Sequence, residues 1–159
     1  MKYTHWAAGP VTLDKTRTYE QNADNVKPKG LWLSVDGDWE RWCEDEGYRE
    51  KGKGVEHVVE VDLARVLHLS DARAIDIFTR RYFEEEQHRY LTNHIFINWN
   101  AVARDYAGLV IAPYCWERRL ADHTFWYYGW DCASACIWDL SVITKFEVTN
   151  GLPILQQGD

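Results

Sequence analysis

The chain has little of several things: one methionine, four prolines and four cysteines in 159 residues. No apolar run approaches the roughly 20 residues that a membrane-crossing helix needs, so no membrane association is expected. The N-terminus, MKYTHWAAGP, lacks the apolar stretch of a secretory leader. The thiols of Cys43, Cys115, Cys132 and Cys136 are therefore expected to stay reduced in a cytoplasmic protein. Cys132 and Cys136 stand four apart, not in a C-x-x-C knuckle, and no Cys/His spacing selects a metal site, so none is expected. Positive charge is also short, with 18 Lys and Arg against 25 Asp and Glu and a net charge of −7. Proteins that hold nucleic acid through its phosphates carry a basic surface. Here basic residues cluster only in small pairs such as Arg80-Arg81 and Arg118-Arg119, which disfavours tight non-specific binding. There is no G-x-G-x-x-G and no P-loop, so a Rossmann or P-loop nucleotide site is not expected. No internal repeat or low-complexity tract is present.

What the chain has in excess is rings: nine Trp and nine Tyr. Their large apolar faces with a polar edge suit both cores and stacking sites. The length predicts one domain over residues 1–150, with a loose tail over 151–159. Residues 3–14 read as a strand, a Gly-Pro turn and a second strand or extended piece. The polar stretch 15–29 reads as a long loop and a candidate flap. Residues 30–34 read as a strand, and 37–46 as a helix capped by Asp36 or Asp38. A Gly-Lys turn (47–55) and a strand (56–62) follow. Ser70 is a good N-cap for a helix over 71–83, with Ile75, Phe78 and Tyr82 as its buried stripe and a charged extension, EEEQHRY. IFIN (95–98) reads as a short strand, and Asn98 as the cap of a helix carrying Trp99, Val102, Ala103 and Tyr106. Residues 109–112 read as a buried strand and 113–123 as a loop. FWYYGWD (125–131) and ACIWDLSVI (135–143) read as two strands. Strands and helices mix without a βαβ repeat, so the class is α+β.

One stretch raises a functional question. In KPKGLWLSVDGDWERWC (27–43) a strand ends on a lone hydroxyl, Ser34, beside three tryptophans, with carboxylates behind it. The same residues suit a strand-turn-helix core unit, since Ser before Asp-Gly-Asp is ordinary turn chemistry. They also suit one wall of a nucleotide pocket. Trp39 and Trp42, at helical spacing, read as core, and the carboxylates of that helix as facing solvent. Trp32 and Trp130 are better stacking candidates, because each neighbours a candidate polar group.

The order of pieces resembles the ADP-ribosyltransferase-like superfamily. The resemblance rests on Tyr3–Trp6, on Lys29–Ser34, on HVVEVDLARVLHLSD (57–71), and on INWNAVARDYAGLVIAPY (97–114). It implies a mostly antiparallel, split α+β sheet with flanking helices, binding NAD as co-substrate in a central cleft. His5 would match the histidine that bonds a ribose of NAD, and Ser34 the strand serine of the nicotinamide pocket. Gly30 would let the backbone approach the ligand. Trp32 and Trp130 would stack, and Tyr106 would reach the cleft. The superfamily's late-strand Glu-x-Glu or Gln-x-Glu is absent; the nearest carboxylate is Asp131, with Ser134 close by. Lys29, Arg17 or the Arg118-Arg119 pair would face the diphosphate.

The function implied is ADP-ribosyl transfer from NAD to a protein side chain or a nucleobase, the acidic balance favouring protein. Hydrolysis of NAD is the variant with water as acceptor. Breaking the nicotinamide–ribose bond builds positive charge at the sugar carbon, which a fixed carboxylate stabilises. The alternative is a catalytically silent domain that binds and occludes a partner protein. Cys115 or Cys136 with His123 would permit a thiol hydrolase, but no spacing singles them out.

Overall fold

In a computed structural model the chain forms an α+β domain around a curled, mixed sheet of seven strands in the order β4-β5-β6-β2-β1-β3-β7. Residues 1–22, 26–48, 54–83 and 95–149 are described. The strands are β1 (Tyr3–Ala7), β2 (Leu31–Val35), β3 (Val55–Val61), β4 (Val66–Leu69), β5 (Gly108–Ile111), β6 (Ser134–Ile137) and β7 (Ile143–Val148). The helices are α1 (Asp38–Asp45), α2 (Ala72–Tyr82), α3 (Trp99–Asp105) and the single turn α4 (Trp116–Arg119). All strand pairs are antiparallel except β4 with β5.

Side chains alternate across the sheet, and the alternation sorts them into two cores. Leu109, Ile111 and Cys136 face one core, together with α2, α3 and their aromatic neighbours. Val110, Ala135 and Ile137 face the other, with Tyr3, Leu33, Val35 and Val59. Helix α2 buries Ile75, Phe78, Thr79 and Tyr82, the stripe its periodicity predicts, and Trp126 donates to Thr79 Oγ1 at 2.8 Å beneath it. Asn98 caps α3 as its side chain predicts, accepting from Ala101 N–H at 2.9 Å.

The sequence expectations need several corrections. Residues 122–129 wind as 3₁₀ turns, not a strand. An aromatic at every position from Phe125 to Tyr128 carries no period, so it cannot distinguish a strand from a buried turn. Adjacent Trp126 and Tyr127 are both fully buried, which strand alternation does not allow when one face is open to solvent. Residues 95–98 make only a bridge between Ile97 and Phe83. Residues 10–14 form no second strand. The α2 cap is Asp71, which accepts from Ala74 N–H at 2.8 Å, rather than Ser70. Helix α1 starts from Gly37, which has no side chain to cap it. The EEEQHRY extension, most of the 47–55 turn and the tail from 150 onward lie outside the described residues.

The sheet is one hydrogen-bonded whole rather than two, yet it has a fork. β1 and β2 are joined by only two residue pairs, Tyr3 with Val35 and Thr4 with Ser34. β1 continues along β3 for five pairs and β2 along β6 for four. Past Thr4 the two central strands therefore go separate ways.

Gly30 is fixed by packing on β6. A Cβ there would lie 2.6 Å from Cys136 Sγ and 2.7 Å from the Ile137 carbonyl oxygen. Gly108, on the other flank of β6, meets Ile137 Cδ1 at 2.6 Å in the same way. Gly30→Ala is expected to destabilise the protein by about 1–3 kcal/mol, the usual cost of overpacking, and a thermal or urea melt reads this directly.

Candidate functional site

A cavity of about 310 Å³ sits at the fork between β1 and β2, lined among others by Thr4, His5, Trp6, Lys27, Trp32, Ser34, Trp39, Trp130, Asp131 and Ser134. It is built by strand geometry. Ser34 lies opposite Thr4 on one side and Ser134 on the other, so all three hydroxyls share a face. Trp32 lies two residues back on that face, and the chain entering β6 brings in Trp130 and Asp131. A larger depression of about 550 Å³, more open to solvent, lies elsewhere and is lined by His68, Pro113, Tyr114 and Trp116 among others.

Five of the seven residues expected to form a site, His5, Trp32, Ser34, Trp130 and Asp131, line this one cavity. The other two do not. Gly30 packs on β6 and does not line the cavity. Tyr106 ends α3, packs at the edge of the helical core, and accepts from Trp138 Nε1 at 2.6 Å through its carbonyl. Trp39, expected in the core, stacks on Trp42 at 5.0 Å and reaches the cavity wall.

Ser34 has a structural duty as well. Its hydroxyl accepts from Trp39 N–H at 3.2 Å, supplying from the strand the cap that Gly37 lacks. Its own proton goes to Glu40 Oε2 at 2.5 Å. Glu40 also accepts from Thr4 Oγ1 at 3.1 Å and from Trp6 Nε1 at 2.6 Å, both through Oε1. Burial pushes this carboxyl up. The hydrogen bonds from Ser34, Trp6, its own backbone amide and Thr4 outweigh that and hold it below the usual glutamate range. Its neighbour Asp38 accepts from Ala133 N–H at 2.7 Å and so ties α1 to the segment entering β6. The α1 carboxylates Asp38 and Glu40 thus turn inward, against the expectation that they face solvent.

His5 occupies the fork itself. Its Nδ1 lies 2.9 Å from the Trp32 carbonyl, a main-chain acceptor left over where the ladder ends, so Nδ1 carries the hydrogen and Nε2 the lone pair of the neutral ring. Burial lowers its pKa, the bond to Trp32 opposes this, and nearby His57 lowers it further. The net result is a neutral imidazole at pH 7. The ring leans on Phe146 and His57, at 5.9 and 6.1 Å.

On the opposite wall Trp130 packs against Trp32 with ring centres 4.7 Å apart. Trp130 is fully buried, and its indole N–H has no partner among the described residues. The contrast with Trp126 and Trp138 is sharp, since each of those donates to a named oxygen. An unmet buried donor costs about 1–3 kcal/mol. Asp131 is held by Lys27 and Arg119, each at 3.4 Å. Lys27 also lies over the Trp32 ring at 5.2 Å.

The other cations expected at the site are occupied elsewhere or absent from its wall. Arg118 makes a paired bond to Asp76, Arg17 lies over Tyr19, and Lys29 does not line the cavity. The 15–29 loop is anchored by Gln21, which bonds both the N–H and the carbonyl of Lys29, and by Lys15, which donates to the Ile143 carbonyl. Burial pushes the Cys132 thiol at the cavity wall up to about 12, and the fully buried Cys136 thiol well up too. Neither is a thiolate at neutral pH. His123 pairs with Asp76. Among the described residues no group of three or more His, Cys, Asp or Glu is placed to hold a metal, and no helix is long and apolar enough to cross a membrane.

No protein-family model matches the chain, and no curated protein or solved structure matches it either.

Glu40 is the residue that sequence reading overlooks. The available signal was its place as the third residue of α1, three after Gly37, where a glutamate often reaches back over a helix start. Because its folded pKa is depressed, its contribution is complete above the unfolded glutamate value and is lost as pH falls through the folded one. Thermal melts from neutral pH down to about pH 3 are expected to show a shallower acid-side loss of stability in Glu40→Gln than in the parent.

Proposed function

We propose that the cavity binds the nicotinamide–ribose half of NAD and that the protein transfers ADP-ribose to a macromolecular acceptor. The observation carrying this reading is the convergence of His5, Ser34 and Asp131 on one cavity walled by Trp32 and Trp130. These residues are far apart in sequence, and the resemblance to ADP-ribosyltransferase-like proteins selects them independently of their positions in space.

At about 310 Å³ the cavity is at the low end of the roughly 300–1,000 Å³ of small-molecule sites. It suits one flat ring with its sugar and leaves the rest of a dinucleotide outside. Lys27 at the wall, with Arg119 behind Asp131, supplies positive charge for a diphosphate there. The Asp131 carboxylate would stabilise the positive charge that builds on the sugar carbon as nicotinamide leaves. His5 and Ser34 would orient the ribose and lower the entropic cost of that geometry. A protein side chain is the favoured acceptor over a nucleobase, because the chain carries a net charge of −7; water would make the same site an NAD hydrolase.

One observation favours the silent alternative, a domain that binds and occludes a partner protein. Both Asp131 oxygens are engaged by cations, which reduces the negative charge available to a transition state. Nicotinamide release from NAD, with and without cell lysate, separates the two. The enzyme reading expects release that Asp131→Asn lowers by about 10²–10³, the size of a lost electrostatic group. Lysate dependence would identify a transferase and its absence a hydrolase. No release in either condition, with no NAD binding by calorimetry, would leave the occluding domain.

A further inference from the structure

Glu40 is absent from the cavity wall, yet three of the residues that line it, Thr4, Trp6 and Ser34, each send a proton to its carboxylate. Two consequences follow from donor and acceptor counting. Ser34 has one hydrogen, and Glu40 takes it; one of its two lone pairs is taken by Trp39 N–H. What remains for the cavity is a single lone pair, the negative end of the hydroxyl dipole. Behind it, 2.5 Å from the Ser34 oxygen, stands a full negative charge whose bonding partners are all neutral donors. Asp131, by contrast, is countered by Lys27 and Arg119. Of the two carboxylates at the fork, Glu40 is therefore the one whose charge is not cancelled by a neighbouring cation.

We infer that Glu40 is a positioning residue that makes the cavity select a cationic ring over its neutral counterpart, by locking Ser34 as an acceptor and placing an uncompensated anion behind it. The inference rests on the reading of the cavity as a site for a pyridinium dinucleotide, and deepens it: oxidised NAD, whose nicotinamide ring is positively charged, is preferred over the reduced form, whose ring is neutral. Lys27 opposes the preference from the far wall, but its ammonium is committed to Asp131 and to the face of Trp32.

The test uses two small probes, 1-methylnicotinamide, a pyridinium cation, and neutral nicotinamide. Binding of each to the full chain is followed by tryptophan fluorescence or calorimetry, together with oxidised and reduced NAD. The parent protein is expected to prefer the cation roughly tenfold, a modest fraction of what a charge a few ångströms away supplies at intermediate dielectric. Glu40→Gln keeps the shape but removes the charge, and its amide nitrogen donates where one carboxylate oxygen accepted, which also releases the lock on a hydroxyl such as that of Ser34; it is expected to erase the preference by weakening the cation while neutral nicotinamide still binds. Glu40→Asp keeps the charge and is expected to restore part of it. A purely structural role would weaken both probes together. Equal affinity for the two probes in the parent, a preference that survives Glu40→Gln, or no binding of either probe each overturns the inference. A cation preference that depends on Glu40, in a protein that releases no nicotinamide from NAD, would uphold the inference while the transferase reading fails.

Discussion

Where β1 leaves β2 after Thr4, the backbone ladder stops and the Glu40 carboxylate takes its place. It joins Thr4 and Trp6 on one strand to Ser34 on the other, and it does so from the first turn of a helix. The left-handed Asp36 (φ 50°) and Gly37 (φ 77°) fold that helix back over the strand it follows. Without such a clamp a two-pair junction in the middle of a seven-stranded sheet would be its weakest seam. With it, the seam opens into the cavity beside the clamp. The fixed direction of the Ser34 hydroxyl depends on that one half-buried carboxylate.

The two walls of the opening have different characters. The Ser34 side presents acceptors backed by negative charge. The Trp130 side presents a ring that packs on Trp32, and the Trp130 indole N–H is buried with no partner among the described residues. On the proposed reading a flat ring would carry its cationic edge toward the Ser34 side. Trp126 and Trp138 are core residues with bonded indoles, whereas Trp130 stands at the cavity wall.

Much of the scaffold was legible in the sequence because it follows local rules. The α2 stripe, the Asn98 cap and the GLWLS strand each depend on a few neighbouring residues. His5, Ser34, Asp131 and the two tryptophans, selected by the resemblance, line one cavity. What was not legible depended on partners distant in sequence. Glu40 reads as one carboxylate in an acidic, solvated helix until the Asp36-Gly37 turn brings it onto Ser34. Gly30 reads as room for a ligand, but which neighbour comes close is decided by β6, more than a hundred residues away. Tyr106 shares a helical period with Trp99 and Val102, yet the chain leaves α3 at that residue and carries it to the core edge. FWYYGWD fails for a different reason, since its unbroken aromatics from Phe125 to Tyr128 have no period to read.

Whether a planar nucleotide ring enters the fork between Trp32 and Trp130 decides the proposed function. A titration of ¹⁵N-labelled protein with NAD, following the tryptophan indole N–H resonances, reads this directly. Saturable shifts of Trp130 and Trp32 are expected, while Trp99 and Trp126 in the helical core stay in place. No shift at any concentration, or shifts confined to exposed Trp116, would contradict it.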